Sequence, residues 1–250
     1  MVTVGADQVW AQDSGTDGPV LVLLHPGIAD QRVWEPVWEP LTSTHRVIRY
    51  DVRGFGWSPP ATEPYEQVGD LITVLDHYGL GAVHLLGSAM GGSTALGLAI
   101  AAPERVESLV LLSPGISGYP YPEDPELARR WHDLVAARDG DGLVDLVLSH
   151  WCAAGQERFV RELVRDALGS QANGNSFWTE PVQVWGHLAE IKVPTVILGG
   201  DRDAAGMYEA GRAAAERIPG GRFVPLAGVD HLPQLRVPDL VVQTVRESCR

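Results

Sequence analysis

Cysteine is nearly absent. The 250 residues carry only Cys152 and Cys249, a pair whose spacing suggests neither a disulfide framework nor a metal site. No metal and no cofactor is expected. Positive charge is also scarce: 19 Lys and Arg stand against 32 Asp and Glu, a formal net charge of −13. Such a field repels phosphate backbones, which argues against nucleic acid and anionic membranes as partners. No run of about 18 apolar residues is present, so no membrane span is expected. The first residues, Met1 to Asp7, lack the basic region and apolar stretch of a signal peptide, which points to the cytoplasm. Internal repeats and low-complexity tracts are missing as well. What is present, 45% hydrophobic and 20% charged residues, is the composition of a soluble domain long enough to bury a large core. Oligomeric state is not legible.

Short apolar runs alternate with helical patterns, which predicts a mainly parallel sheet covered on both faces. Val20–Leu24, Arg46–Asp51, Ala82–Leu86, Val106–Leu112, Pro194–Leu198 and Arg222–Leu226 read as strands. Residues 2–12 read as an antiparallel hairpin strand at the edge. Val68, Leu71, Ile72 and Leu75 make one helical stripe that stops at Gly79. Met90–Ala101 is small and apolar all round, as expected for a helix buried on the sheet. Another helix starts at Pro238. The region from about 116 to 190 breaks the alternation and predicts a helical cap inserted between the fourth and fifth of these strands. It holds four of the eight tryptophans, Trp131, Trp151, Trp178 and Trp185, each a candidate either to line a substrate pocket or to glue cap to core.

One further absence matters more than the others. Val83 to Gly92 reads as a sharp strand-to-helix turn with glycines at 87 and 91, the frame that presents a nucleophile at the position between them. Residue 89 is alanine, and a methyl group cannot attack a carbonyl. Ser88 carries the adjacent hydroxyl, but this turn aims position 89, not 88. Acyl transfer also needs a base, a group that orients the base, and donors for the oxyanion. Two carboxylates, Asp201 and Asp203, end the strand around Val196–Leu198. His231 follows the next strand in a loop at the carboxyl edge of the sheet, where open α/β sheets put their sites. His25 lies beside the first such loop, in a position that suits holding the loop better than moving protons. His132, His150 and His187 in the cap read as solvated or packing residues.

His25-Pro26-Gly27, the segment Asp51 to Ser58 (DVRGFGWS), the turn at 87–91, Gly200 to Asp203 (GDRD) and Gly228 to His231 (GVDH) occur in this order over nearly the whole chain. Together they resemble the α/β-hydrolase superfamily. Ile28 to Trp34 is loosely similar to the esterase and enol-lactonase branch. The resemblance implies an eight-stranded, mainly parallel sheet with helices on both faces, a core of residues 1–115 and 191–250, and a helical cap of 116–190. It implies Asp203 as the acid, three residues after Gly200, with Asp201 as the alternative, and His231 as the base. Oxyanion donors would be the backbone N–H groups of Met90 and Gly27, or of Ile28 if the register shifts by one. Ile28 would also face substrate.

The expected function is hydrolysis of a small ester or lactone by a Ser-His-Asp mechanism, with serine replaced by alanine at 89 in an inactive variant. The tryptophans point to an apolar or aromatic substrate. The alternative is a non-hydrolytic relative, a lyase, cyclase or ligand-binding module, that uses the pocket without a nucleophile.

Overall fold

The computed structural model describes residues 1–174, 177–179 and 183–250. Among the described residues nine strands form: β1 (Val2–Val4), β2 (Asp7–Val9), β3 (Ala11–Asp13), β4 (Val20–Leu24), β5 (Arg46–Tyr50), β6 (Val83–Ser88), β7 (Val106–Leu112), β8 (Thr195–Gly200) and β9 (Arg222–Leu226). Seven of them make one sheet in the order β3-β5-β4-β6-β7-β8-β9. All its neighbours are parallel except β3, which runs antiparallel on the outer edge of β5.

The expected eighth strand does not join the sheet. β1 and β2 pair only with each other, Val2 opposite Val9. Each is three residues long, and the valines at 2, 4 and 9 are buried in the core cluster that holds Leu71 and Leu75. Burying those side chains turns the hairpin away from the sheet edge and leaves that edge to β3.

The two faces of the sheet are written in alternate residues. Val22 and Leu24 of β4 face one core, while Leu21 and Leu23 face the other. The first core is covered by α2 (Gln67–His77), α3 (Met90–Ala101) and α7 (Met207–Arg217). The second is covered by α1 (Glu35–Thr42) and α9 (Pro238–Ser248), with the one-turn α8 (Pro233–Arg236) ahead of it. Among the described residues, no helix is long and apolar enough to cross a membrane.

Between β7 and β8 the chain inserts α4 (Pro125–Ala137), α5 (Gly140–Trp151) and α6 (Arg158–Gly174). α5 and α6 send Val144, Val147, Leu148, Val160, Leu163 and Val164 into the second core, whereas α4 buries no side chain fully. Three polar ties bind the insertion to loops at the carboxyl ends of the strands. Arg32 pairs with both Asp30 and Asp166, Arg236 pairs with both Asp230 and Glu157, and Tyr65 bridges the backbone at Trp178.

The loop after β5 is fastened by charge. Arg53 is 5% exposed and reaches Asp70 at 2.7 Å and Asp7 at 2.7 Å, with its guanidinium 4.8 Å from the Tyr65 ring centroid. Removing the cation would leave two buried carboxylates without their counter-charge, Asp7 keeping only its hydrogen bonds from Thr62, which costs far more than loss of an exposed pair would. Arg53→Ala is expected to lower unfolding stability by roughly 3–5 kcal/mol in urea titrations.

Candidate active site

The turn between β6 and α3 is clamped by its neighbours. The Ala89 N–H donates to Leu112 O at 3.0 Å, and Ala89 O accepts from Gly115 N–H at 2.9 Å and Ser93 N–H at 3.0 Å. Ala89 sits at φ 47°, ψ −108°, a conformation costing about 1–3 kcal/mol in a residue with a Cβ. The flanking glycines have a separate reason to be there. A Cβ on Gly87 would lie 2.6 Å from Gly91 O, and one on Gly91 would fall onto the Leu24 carbonyl. These two glycines therefore serve packing whatever stands at 89. Ser88, the adjacent hydroxyl, is fully buried and lies 3.4 Å from the Gln234 amide nitrogen. Among the described residues no hydrogen bond joins it to His231.

The two carboxylates after β8 separate cleanly. Asp201 is exposed and its Oδ1 accepts the Gly228 N–H at 2.6 Å, pinning the turn after β9. Asp203 Oδ1 lies 2.8 Å from His231 Nδ1, with the side chains 1% and 6% exposed respectively. A carboxylate only accepts, so this contact assigns the proton to Nδ1 and leaves the lone pair on Nε2. Asp203 Oδ1 also accepts the Ala204 N–H at 2.7 Å, while its Oδ2 is buried with no hydrogen-bond partner.

His231 is held from above. Its N–H donates to the carbonyl of Trp151 at the end of α5, 3.1 Å away. The neighbouring Asp230 is fully buried and accepts from Ala154 N–H at 3.0 Å, Leu232 N–H at 3.1 Å and the Arg236 guanidinium at 3.1 Å. Arg236 continues to Gly155 O and Glu157. Asp230 and Arg236 are the residues that sequence reasoning missed. Adjacency to His231 was a signal for Asp230; nothing marked Arg236.

The loop after β4 is equally fixed. His25 Nε2 accepts the Val52 N–H at 3.0 Å, and its Nδ1 donates to Pro26 O at 2.9 Å, so both ring nitrogens are used in holding the loop. Asp51 is fully buried and accepts the N–H groups of Gln31 at 2.8 Å and Trp57 at 3.0 Å; burial nonetheless pushes its carboxyl pKa above the ordinary value. This brings Gly27 beside the elbow, where a Cβ would stand 3.5 Å from Met90 Sδ. Met90 opens α3, so its N–H belongs to the first turn of donors that a helix cannot satisfy internally. Ile28 is half-buried and packs against the second core.

The four cap tryptophans divide. Trp131 and Trp151 line a cavity of about 430 Å³ together with Leu127, Ala128, Asp124 and His150. His150 stacks edge-on against Trp151, and desolvation pushes its pKa below the ordinary histidine value. Across Pro122 and Ala205, which border both, lies a larger and more polar cavity of about 720 Å³ on the Asp203 side, lined also by Tyr119 and Tyr208. Trp178 and Trp185 are not in either cavity. Both pack against the first core, and Trp185 is wedged between Tyr119 and the Arg217 guanidinium, 3.9 Å above its ring. Each was a candidate for the substrate pocket or for packing, and the contacts described are packing contacts. His132 and His187 are exposed, each beside a carboxylate.

Sheet order, elbow and the Asp203–His231 pair together define the class of protein. The alpha/beta hydrolase family model matches residues 21–244, and the chain belongs to that family. It is 26% identical over 242 residues to 3-oxoadipate enol-lactonase 1 of Acinetobacter baylyi, covering 91% of this chain and 87% of that protein. It is also 26% identical over 247 residues to the carboxylesterase YbfK of Bacillus subtilis, covering 92% of this chain and 79% of the relative. Among solved structures, the enol-lactonase of Burkholderia xenovorans superposes with a TM-score of 0.81 at 26% identity, covering 98% and 97% of the two chains.

Arg236→Ala would strip the buried Asp230 of its charge partner. The expected result is a loss of about 3 kcal/mol or more in urea unfolding, together with faster amide exchange at Ala154 and His231, read by hydrogen exchange.

Proposed function

We propose that the site is built for serine-type hydrolysis of small esters or lactones, with the nucleophile position filled by Ala89. The observation that carries this reading is the Asp203–His231 hydrogen bond, 2.8 Å long and buried. A module that only binds a ligand has no use for an oriented imidazole. In this reading His231 is the base, Asp203 fixes its tautomer and stabilises its cation, and the N–H groups of Met90 and Gly27 receive the oxyanion. The insertion of 116–190 acts as a lid. The cavity walled by Trp131 and Trp151 supports an apolar or aromatic group on the substrate, because large rigid faces bind flat apolar groups at low entropic cost. The acidic surface suits a cytoplasmic protein acting on small molecules.

A second reading rests on Ala89 itself: a non-hydrolytic relative that uses the same pocket for lyase, cyclase or binding duty. The two part on one substitution. Ala89→Ser is expected to raise turnover of small activated esters by several orders of magnitude, toward the ~10⁶-fold that a serine nucleophile contributes in other hydrolases. No gain would hand the site to the second reading.

In the Ala89→Ser background, Asp203→Asn should cut kcat by roughly 10⁴-fold by favouring the wrong tautomer. Asp201→Asn should leave it within a few-fold, since that carboxylate's hydrogen bond goes to the Gly228 turn and not to His231. In the same background, Trp131→Ala should raise KM for aryl esters by about tenfold or more relative to acetate esters, from lost apolar burial. Steady-state kinetics on matched ester pairs measure all three.

A further inference from the structure

We propose that the chain, with alanine at 89, is itself an esterase of a different kind: His231 acts as a general base on water, and no acyl-enzyme forms. This rests on the roles assigned above to His231 and Asp203, and not on a serine at 89.

Three features of the site converge on it. First, the Nδ1–H of His231 is spent on Asp203, so Nε2 is the basic atom. Among the described residues Nε2 has no hydrogen-bond partner, and it is not among the sealed, unpartnered polar atoms of the molecule. It is therefore a base with nothing of the protein's own to deprotonate. Second, a methyl group at 89 is smaller than the hydroxymethyl of serine by one oxygen, the volume that a water oxygen fills. Ala89 is buried, at 7% exposed, so a water held beside its methyl would be shielded from bulk solvent. Third, the elements that stabilise a developing oxyanion are backbone and do not depend on the side chain at 89. The Met90 N–H heads the 12-residue α3, whose dipole adds positive potential there.

The step balances with water as co-reactant. Nε2 takes one proton from water as the water oxygen forms a bond to the ester carbonyl carbon. The carbonyl π pair moves to oxygen, facing the Met90 N–H. The tetrahedral intermediate collapses, the carbon–oxygen bond to the leaving group breaks, and the imidazolium returns its proton to that group or to solvent. One ester and one water become one acid and one alcohol.

The probe is p-nitrophenyl acetate; the alanine chain and its His231→Gln and Asp203→Asn variants are pretreated with a fluorophosphonate to silence any contaminating serine hydrolase and freed of excess reagent, whereas Ala89→Ser, whose serine that reagent would block, is assayed untreated. The expected result is turnover about 10²–10⁴-fold above that of His231→Gln, the range for a positioned general base. The time course should be linear from the first turnover, with no burst of p-nitrophenol. The His231→Gln rate should follow hydroxide alone. Thermal melts of both proteins establish that the glutamine variant is folded; Asp203→Asn, which keeps the histidine but disturbs its tautomer, gives a second comparison and should also lose most of the rate. Equal rates for the chain and His231→Gln overturn the proposal. A stoichiometric burst also overturns it, because it would mean acyl transfer to the protein, with histidine as nucleophile. If the alanine form sits at the His231→Gln level while Ala89→Ser turns over with a burst, this inference fails and the serine-type reading stands. If Ala89→Ser is inert as well, both fail.

Discussion

Everything in the site hangs on a close approach that only hydrogen permits. The first turn of α3 lies against the end of β4 at Leu24, with Gly91 at the contact and Gly87 folded back under it. A side chain at either position would push helix and strand apart. Residue 89 would then lose its place between Leu112 and Gly115, which hold it by hydrogen bonds on both sides. The strain at Ala89 is a product of this geometry. The surrounding sheet imposes it, and the side chain at 89 has no vote. That explains how the turn can persist with a methyl group in it.

The parts of the fold that were legible in the chain are those governed by local apolar pattern. Val20–Leu24 is a continuous apolar run, and Val106–Leu112 becomes one from Leu109 onward; both are strands with those bounds. Met90–Ala101 is apolar all round and is the helix expected there. Strand ends were less legible. β6 continues through Gly87 to Ser88 and β8 through Gly199 to Gly200, because glycine read alone signals a turn, while here it is paired in the ladder. The hairpin misled for another reason: alternation at Val2, Val4 and Val9 tells that one face is buried, but not which partner buries it.

At the site, pattern could bring Asp203, Asp201 and His231 into one neighbourhood, yet two carboxylates two residues apart are indistinguishable by local pattern. What separates them is Gly228, which offers an N–H to Asp201 from 27 positions away. The tryptophans posed the same difficulty on a larger scale. Trp185 belongs to the packing because Arg217 and Tyr119 come to it from distant elements, and no periodicity within the cap encodes that. The Asp230–Arg236 pair, which holds cap and histidine loop together, was hidden because a buried ion pair has no local pattern of its own.

The hydrogen bond from the His231 N–H to the Trp151 carbonyl ties the imidazole to the helices inserted between β7 and β8. The last turn of α5 both walls a cavity and supports the backbone of the imidazole. That helix is itself rooted in the second core through Val144, Val147 and Leu148. A substitution that loosened its packing would therefore reach the histidine through the backbone, without touching any residue of the acid–base pair.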